Sequence, residues 1–190
     1  MLKTKYIYII TSIFLLTSCG ENVIYVPKPP TYLKVDVPEA TYSKFEDRCP
    51  YTFDISSLYN VKEISKDNCH KDIDLGVLNG VVHFSYIQME APLSEYVNFA
   101  NDKIDEHKVM ATAIEDKQIL RPDKKVYGTF FSLEGNVASP FQFYLTDSTD
   151  RFVSAVVYFN SAPNYDSLKP TLDYVKTDLL RMIESFEWKK

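Results

Sequence analysis

The sequence predicts an α+β domain, an antiparallel sheet flanked by helices, and three observations carry that expectation. Apolar and polar residues alternate through several short runs, as half-buried strands require. A segment between Leu93 and His107 shifts to helical spacing. A longer one at the carboxyl end keeps an apolar stripe from Leu168 to Phe186. Helices laid on an antiparallel sheet accommodate all three.

The chain opens on Lys3 and Lys5, continues through an apolar stretch from Tyr6 to Leu16 and reaches Leu16-Thr17-Ser18-Cys19. A basic start, a short apolar core and small residues before a break make residues 1–18 a secretory signal, too short for a permanent membrane helix. A cysteine with an aliphatic residue three positions before it is the pattern of a bacterial lipoprotein signal, whose thiol accepts a diacylglyceryl group before cleavage. Cys19 is therefore the expected lipidation site and first mature residue. Each buried methylene of its acyl chains adds about 0.8 kcal/mol, which anchors a protein without carrying it across the bilayer. Residues 19–44 contain Pro27, Pro29, Pro30 and Pro38, spaced so that neither helix nor central strand persists. They read as a tether, and residues 45–190 as a single globular domain.

In that domain Tyr51, Phe53 and Ile55 alternate with Thr52 and Asp54, and Val82, Phe84 and Tyr86 alternate with His83 and Ser85. Both runs predict strands. Leu93, Tyr96, Val97, Ala100 and Ile104 then share one helical face, with Pro92 near the start. Four strand-like runs follow, from Met110 to Ile119, Lys125 to Glu134, Phe141 to Thr146 and Phe152 to Phe159, and predict an antiparallel meander. Asp147-Ser148-Thr149-Asp150 has the chemistry of a hairpin turn, and Gly128 and Gly135 mark bulges or close packing. The last helix is capped by Asp166 or Ser167, with Pro170 tolerated only in its first turn. This arrangement is similar in layering to the Mog1/PsbP-like α/β/α sandwich, an analogy that says little about function.

Removing the signal takes two of the 21 basic residues and none of the 26 acidic ones, so the remainder is more acidic than the whole chain at −5. That sign argues against nucleic acid as a partner. Cys49 and Cys69 remain in an exported chain, where a disulfide is the natural expectation. Closing a loop of about 20 residues would stabilise the fold by roughly 3 kcal/mol. A metal site built from Cys49, Cys69 and His70 is the competing reading, but no fourth ligand has recognisable spacing.

None of the five glycines makes a P-loop or a dinucleotide fingerprint, and none of the three histidines stands in HExxH spacing. His83 could serve as a general base, yet a lone strand histidine is more often packed or solvent-facing. Glu115-Asp116 and Asp102-Asp105 could in principle do acid/base work, but read better as solvated charge. No catalytic residue, cofactor, metal or small-molecule substrate is expected. The 14 tyrosines and 12 phenylalanines are mostly core, with some available for a stacking or protein-binding face.

Several stretches resemble the gliding motility lipoprotein GldD family. They are Pro50-Tyr51-Thr52-Phe53, then Leu133-Glu134-Gly135-Asn136-Val137 running into Phe141-Gln142-Phe143-Tyr144-Leu145-Thr146-Asp147-Ser148. Val157-Tyr158-Phe159, Asp166-Ser167-Leu168-Lys169-Pro170 and the ending Phe186-Glu187-Trp188 complete the pattern. Cys49 and Cys69 depart from it, which makes their bond an addition of this chain. The resemblance implies a non-enzymatic envelope component, lipid-anchored at the outer membrane, of the gliding machinery and the associated type IX secretion system. Other envelope proteins of that machinery would be its partners. The hairpin around Gln142, Asp147 and Ser148 is a candidate contact surface, although these residues could equally fix strand register and the turn. The alternative is a lipoprotein that holds cell-wall glycan or a hydrophobic molecule between sheet and helix.

Overall fold

The computed structural model describes residues 38–161 and 164–189. The signal, Cys19 and the proline-rich run up to residue 37 lie outside them. Strands β1 (Tyr42–Glu46) and β2 (Tyr51–Ser56) lead into β3 (Asn60–Glu63), β4 (Lys71–Asp74) and β5 (Gly80–Gln88). Helix α1 (Leu93–Asp105) follows, then β6 (Ala111–Arg121), β7 (Val126–Gly135), β8 (Phe141–Thr146) and β9 (Arg151–Phe159). Helix α2 (Tyr165–Ser185) and the short β10 (Glu187–Trp188) end the described chain.

Two antiparallel sheets form: a large one in the order β3-β4-β5-β9-β8-β7-β6 and a small one in the order β1-β2-β10. The predicted meander is the β6-β7-β8-β9 half of the large sheet. Helix α1 is the crossover that carries the chain from β5 to the far edge. Residues 42–44, read from sequence as tether, instead begin β1. Pro38 is the last proline before it, so nothing beyond that point prevents Tyr42 and Phe45 from pairing opposite Ser56 and Phe53.

The apolar stripe of α2 closes one face of the large sheet. Leu172, Val175, Leu179 and Met182 are buried with Phe84, Phe143, Leu145, Val153 and Val157 in the main core. The small sheet lies on the same face, and Tyr51 brings its ring centroid within 5.0 Å of Phe84. Strand β2 is buried on both sides rather than half-buried, since Thr52 and Ser56 are covered too. Their hydroxyls stay satisfied, Thr52 by donating to the Phe45 carbonyl at 2.6 Å and Ser56 by accepting from Leu58 N–H at 3.3 Å. The cap of α2 is Asn164, two or three residues earlier than expected, and its side chain accepts from Ser167 N–H. Pro170 consequently falls in the second turn, where it deprives the Asp166 carbonyl of its i+4 donor near the exposed start of the helix.

Polar clasps join these layers. Tyr42 OH donates to Asp178 Oδ1 at 2.5 Å, tying β1 to α2. Burial, followed by that bond, pushes the phenol up to about 12. Lys71, only 2% exposed, is paired with Asp47 at 2.7 Å, and Cys49 is bonded to Cys69 beside this pair. Arg48 donates to Glu63 and to the carbonyls of Ser65 and Asn68. Together these bonds fasten the small sheet to the β3-β4 edge of the large one.

Candidate functional site

The second face of the large sheet has a much thinner cover. Only Ile104 of α1 is buried, packed against Leu133 and Val137 in a small satellite cluster. At the other end the Tyr96 ring lies 5.6 Å from Phe152, and its hydroxyl accepts from the N–H groups of Glu90 and Ala91. Between these two attachments the helix stands off the strands and leaves a cleft of about 460 Å³.

Strand alternation and register set out its floor in rows. Pairing aligns Phe131, Gln142, Val156 and His83 across β7, β8, β9 and β5. The next row is Thr129, Tyr144, Ser154 and Ser85, and the third Tyr127, Thr146, Phe152 and Ile87. A side-chain period of two sends these residues to the α1 side and their neighbours to the main core. Gly128 permits the close β7-β8 approach beside Tyr144, because a Cβ there would lie 1.9 Å from the Tyr144 carbonyl oxygen. Gly135 sits at φ +106° opposite a bulge of β6 in which Thr112 is the extra residue, and a Cβ there would lie 2.7 Å from the Met110 carbonyl oxygen, which is the close packing the sequence suggested.

The cleft has a chemical gradient. One end is aromatic and aliphatic, with Tyr96, Phe152 and Ile87. The other carries Gln142, His83, Lys103, Glu106 and His107. Gln142 is 4% exposed and lines the cleft, yet its Nε2 donor has no hydrogen-bond partner among the described residues. A buried amide in that condition is uncommon, since most such donors are paired. His83 at the rim places Nδ1 2.6 Å from Asp72 Oδ1, and Lys103 pairs with Glu106 at 2.9 Å. His83 is thus held by a carboxylate on the neighbouring strand and is exposed on its other side. Apolar walls with a few placed polar groups suit binding of a small amphiphile.

The residues singled out from sequence fall in different places. Gln142 faces the cleft, whereas Asp147 and Ser148 form the β8-β9 turn, so the three do not make one surface. Asp147 is 4% exposed: its Oδ1 accepts from the N–H groups of Thr149, Asp150 and Arg151, and its Oδ2 accepts from Arg151 Nε at 2.6 Å. Burial alone would raise this carboxyl, but the Arg151 guanidinium and the backbone donors hold it well below the usual carboxylate range. Ser148 takes the left-handed φ of 66° at the tip. Gln142 and Asp147 are each 4% exposed, and Asp147 organises the turn. Glu115 and Asp116 are exposed on β6, and Asp102 and Asp105 on α1, with Lys108 reaching Asp105 at 2.6 Å. Sequence reasoning missed the site-forming role of α1 residues such as Phe99, which is 60% exposed. An apolar stripe does not by itself say how closely a helix sits on its sheet.

No curated protein matches the chain. The family described as gliding motility lipoprotein GldD matches residues 22–188, which include the whole of both sheets and both helices described above. That span covers most of the protein and runs through the cleft and the β8-β9 turn, so this chain belongs to the gliding motility lipoprotein GldD family.

Proposed function

We propose that this protein is a non-enzymatic, lipid-anchored component of the gliding machinery that also serves type IX secretion, with Cys19 as its anchor at the outer membrane. The family match over residues 22–188 is the observation that carries the reading. The structure is consistent with it in one further respect. The body presents a binding cleft and braced surfaces, which suit a protein that works by holding another component. Anchoring supports such work physically, because it raises the effective concentration of the domain for partners on the same membrane. Envelope proteins of the motility and secretion apparatus are the partners in this reading, reached from the membrane through the segment beginning at residue 19.

The test is an in-frame deletion in the native host, complemented with the wild-type chain or with Cys19→Ala, and scored for surface spreading and for secreted protein. Loss of both on deletion, restored by wild type and not by Cys19→Ala, is the expected result. Normal spreading and secretion without the gene would overturn the proposal. Lost spreading with normal secretion would remove the type IX part of it.

A further inference from the structure

We infer that the cleft between α1 and the large sheet binds a single-chain acyl amphiphile, such as a long-chain fatty acid or a fatty acyl ester, whose polar head lies against the Gln142 amide. Three observations converge on that ligand class. The first is shape. The floor runs along β9 from Phe152 to Tyr158, six residues of extended strand and hence about 20 Å, and α1 lies lengthwise above it from Tyr96 to His107. The cleft, about 460 Å³ in volume, is thus elongated, a shape that suits a single chain.

The second observation is the orphan amide. Gln142 is 4% exposed, and its Nε2 has no partner among the described residues while it lines the cleft. That nitrogen has no free surface of its own, so rotation of the amide about χ3 turns the donor to the cleft, where a ligand oxygen relieves the desolvation penalty of the unmade bond. The third is polarity along the slot. Gln142 lies in the row that ends at His83, and Lys103 and His107 border the same end. Phe152, Ile87 and Tyr96 close the other. A ligand with one polar end and one long apolar end can lie in only one direction there. Its head meets Gln142, and its tail runs under Phe99 and Ala100 toward Phe152. Ser85 and Ser154, paired across β5 and β9, place hydroxyls on the floor between the two ends.

The experiment uses the mature chain, residues 19–190, carrying Cys19→Ala, so that it can be handled without detergent. The probe is cis-parinaric acid, titrated by fluorescence and displaced with palmitic acid. Saturable binding of one parinarate per chain, displaced by palmitate, is expected. Ala100→Trp, which fills the slot from α1, should weaken it at least tenfold with an unchanged melting temperature. Gln142→Leu should weaken it about tenfold while raising the melting temperature of the ligand-free protein, since the unsatisfied amide is removed. A purely structural Gln142 would give the opposite shift, a lower melting temperature with affinity preserved. Absence of saturable parinarate binding, or binding indifferent to Ala100→Trp, would overturn the proposal, and in either case an apolar side chain of a protein partner becomes the occupant to consider. Affinity unchanged in Gln142→Leu would overturn the role of the amide.

Discussion

At the scale of single residues, the structure separates side chains that look alike in sequence. Asp147 and Asp150 flank the same turn, but only Asp147 is buried, with four donors on its carboxylate. Its folded carboxyl is held below the ordinary range, so its contribution to stability is fully present above the unfolded value near pH 4 and is lost as pH falls toward the folded one. Asp147→Asn should therefore cost about 2–3 kcal/mol at neutral pH, with the gap to wild type narrowing as pH drops below about 4. Urea denaturation from pH 7 down to pH 2 measures it, and a gap that stays constant over the whole range would contradict this account. The turn itself was legible from Asp147-Ser148-Thr149-Asp150, because those residue types satisfy backbone locally. The burial of Asp147 was not, since it depends on Arg151, which also donates to the Lys189 carbonyl and lies over the Trp188 ring at 5.1 Å. That bracing comes from the far end of the chain.

Among the elements, α1 and α2 show how much a helix depends on what faces it. Both have apolar stripes, yet α2 buries seven residues and α1 buries Ile104 alone. A helix fastened at so few points should open well before the sheet beneath it does. Ile104→Ala should remove about 2–3 kcal/mol of attachment and release α1 locally. In hydrogen exchange, amides of 96–105 are expected to lose protection while those of β5 and β9 keep theirs; equal protection in both proteins would show that α1 is held by something else. The strands that were legible, β2 and β5 through β9, are those with clear alternation. β3 and β4 escaped notice because Asn60-Val61-Lys62-Glu63 and Lys71-Asp72-Ile73-Asp74 are short and rich in charge; β3 is an edge strand, where charged residues can face solvent, and β4 is covered by strands on both sides. Lys71 is the extreme case, a buried lysine that no apolar pattern reveals.

On the scale of the whole molecule, two sheets with separate hydrogen-bond networks are held as one body by α2, the shared aromatic core and the clasp near Cys49 and Cys69. The disulfide spans a sequence separation of 20 and joins the small sheet to the edge of the large one. Replacing both cysteines by alanine should lower stability by about 3 kcal/mol, or roughly 10 °C in melting temperature, without loss of the fold. The pairs Lys71–Asp47 and Arg48–Glu63 remain to hold the same edge. Thermal unfolding followed by circular dichroism checks this. Unfolding of the double variant at room temperature would mean that the ionic clasp contributes much less than its geometry suggests.

Sequence by itself determined the lipoprotein pattern at Cys19, the α+β class, the meander from β6 to β9 and the family to which the chain belongs, because each rests on local spacing that survives without knowledge of neighbours. Only the tertiary structure decided that Gln142 lies buried on the cleft face, that Asp147 braces the turn, that β1 begins inside the expected tether and that α1 stands off its sheet. Those outcomes depend on which strands lie side by side and on how far a helix sits from them. Residues as distant in the chain as Asp72, His83, Gln142 and Val156 meet only when the register of the seven-stranded sheet is complete.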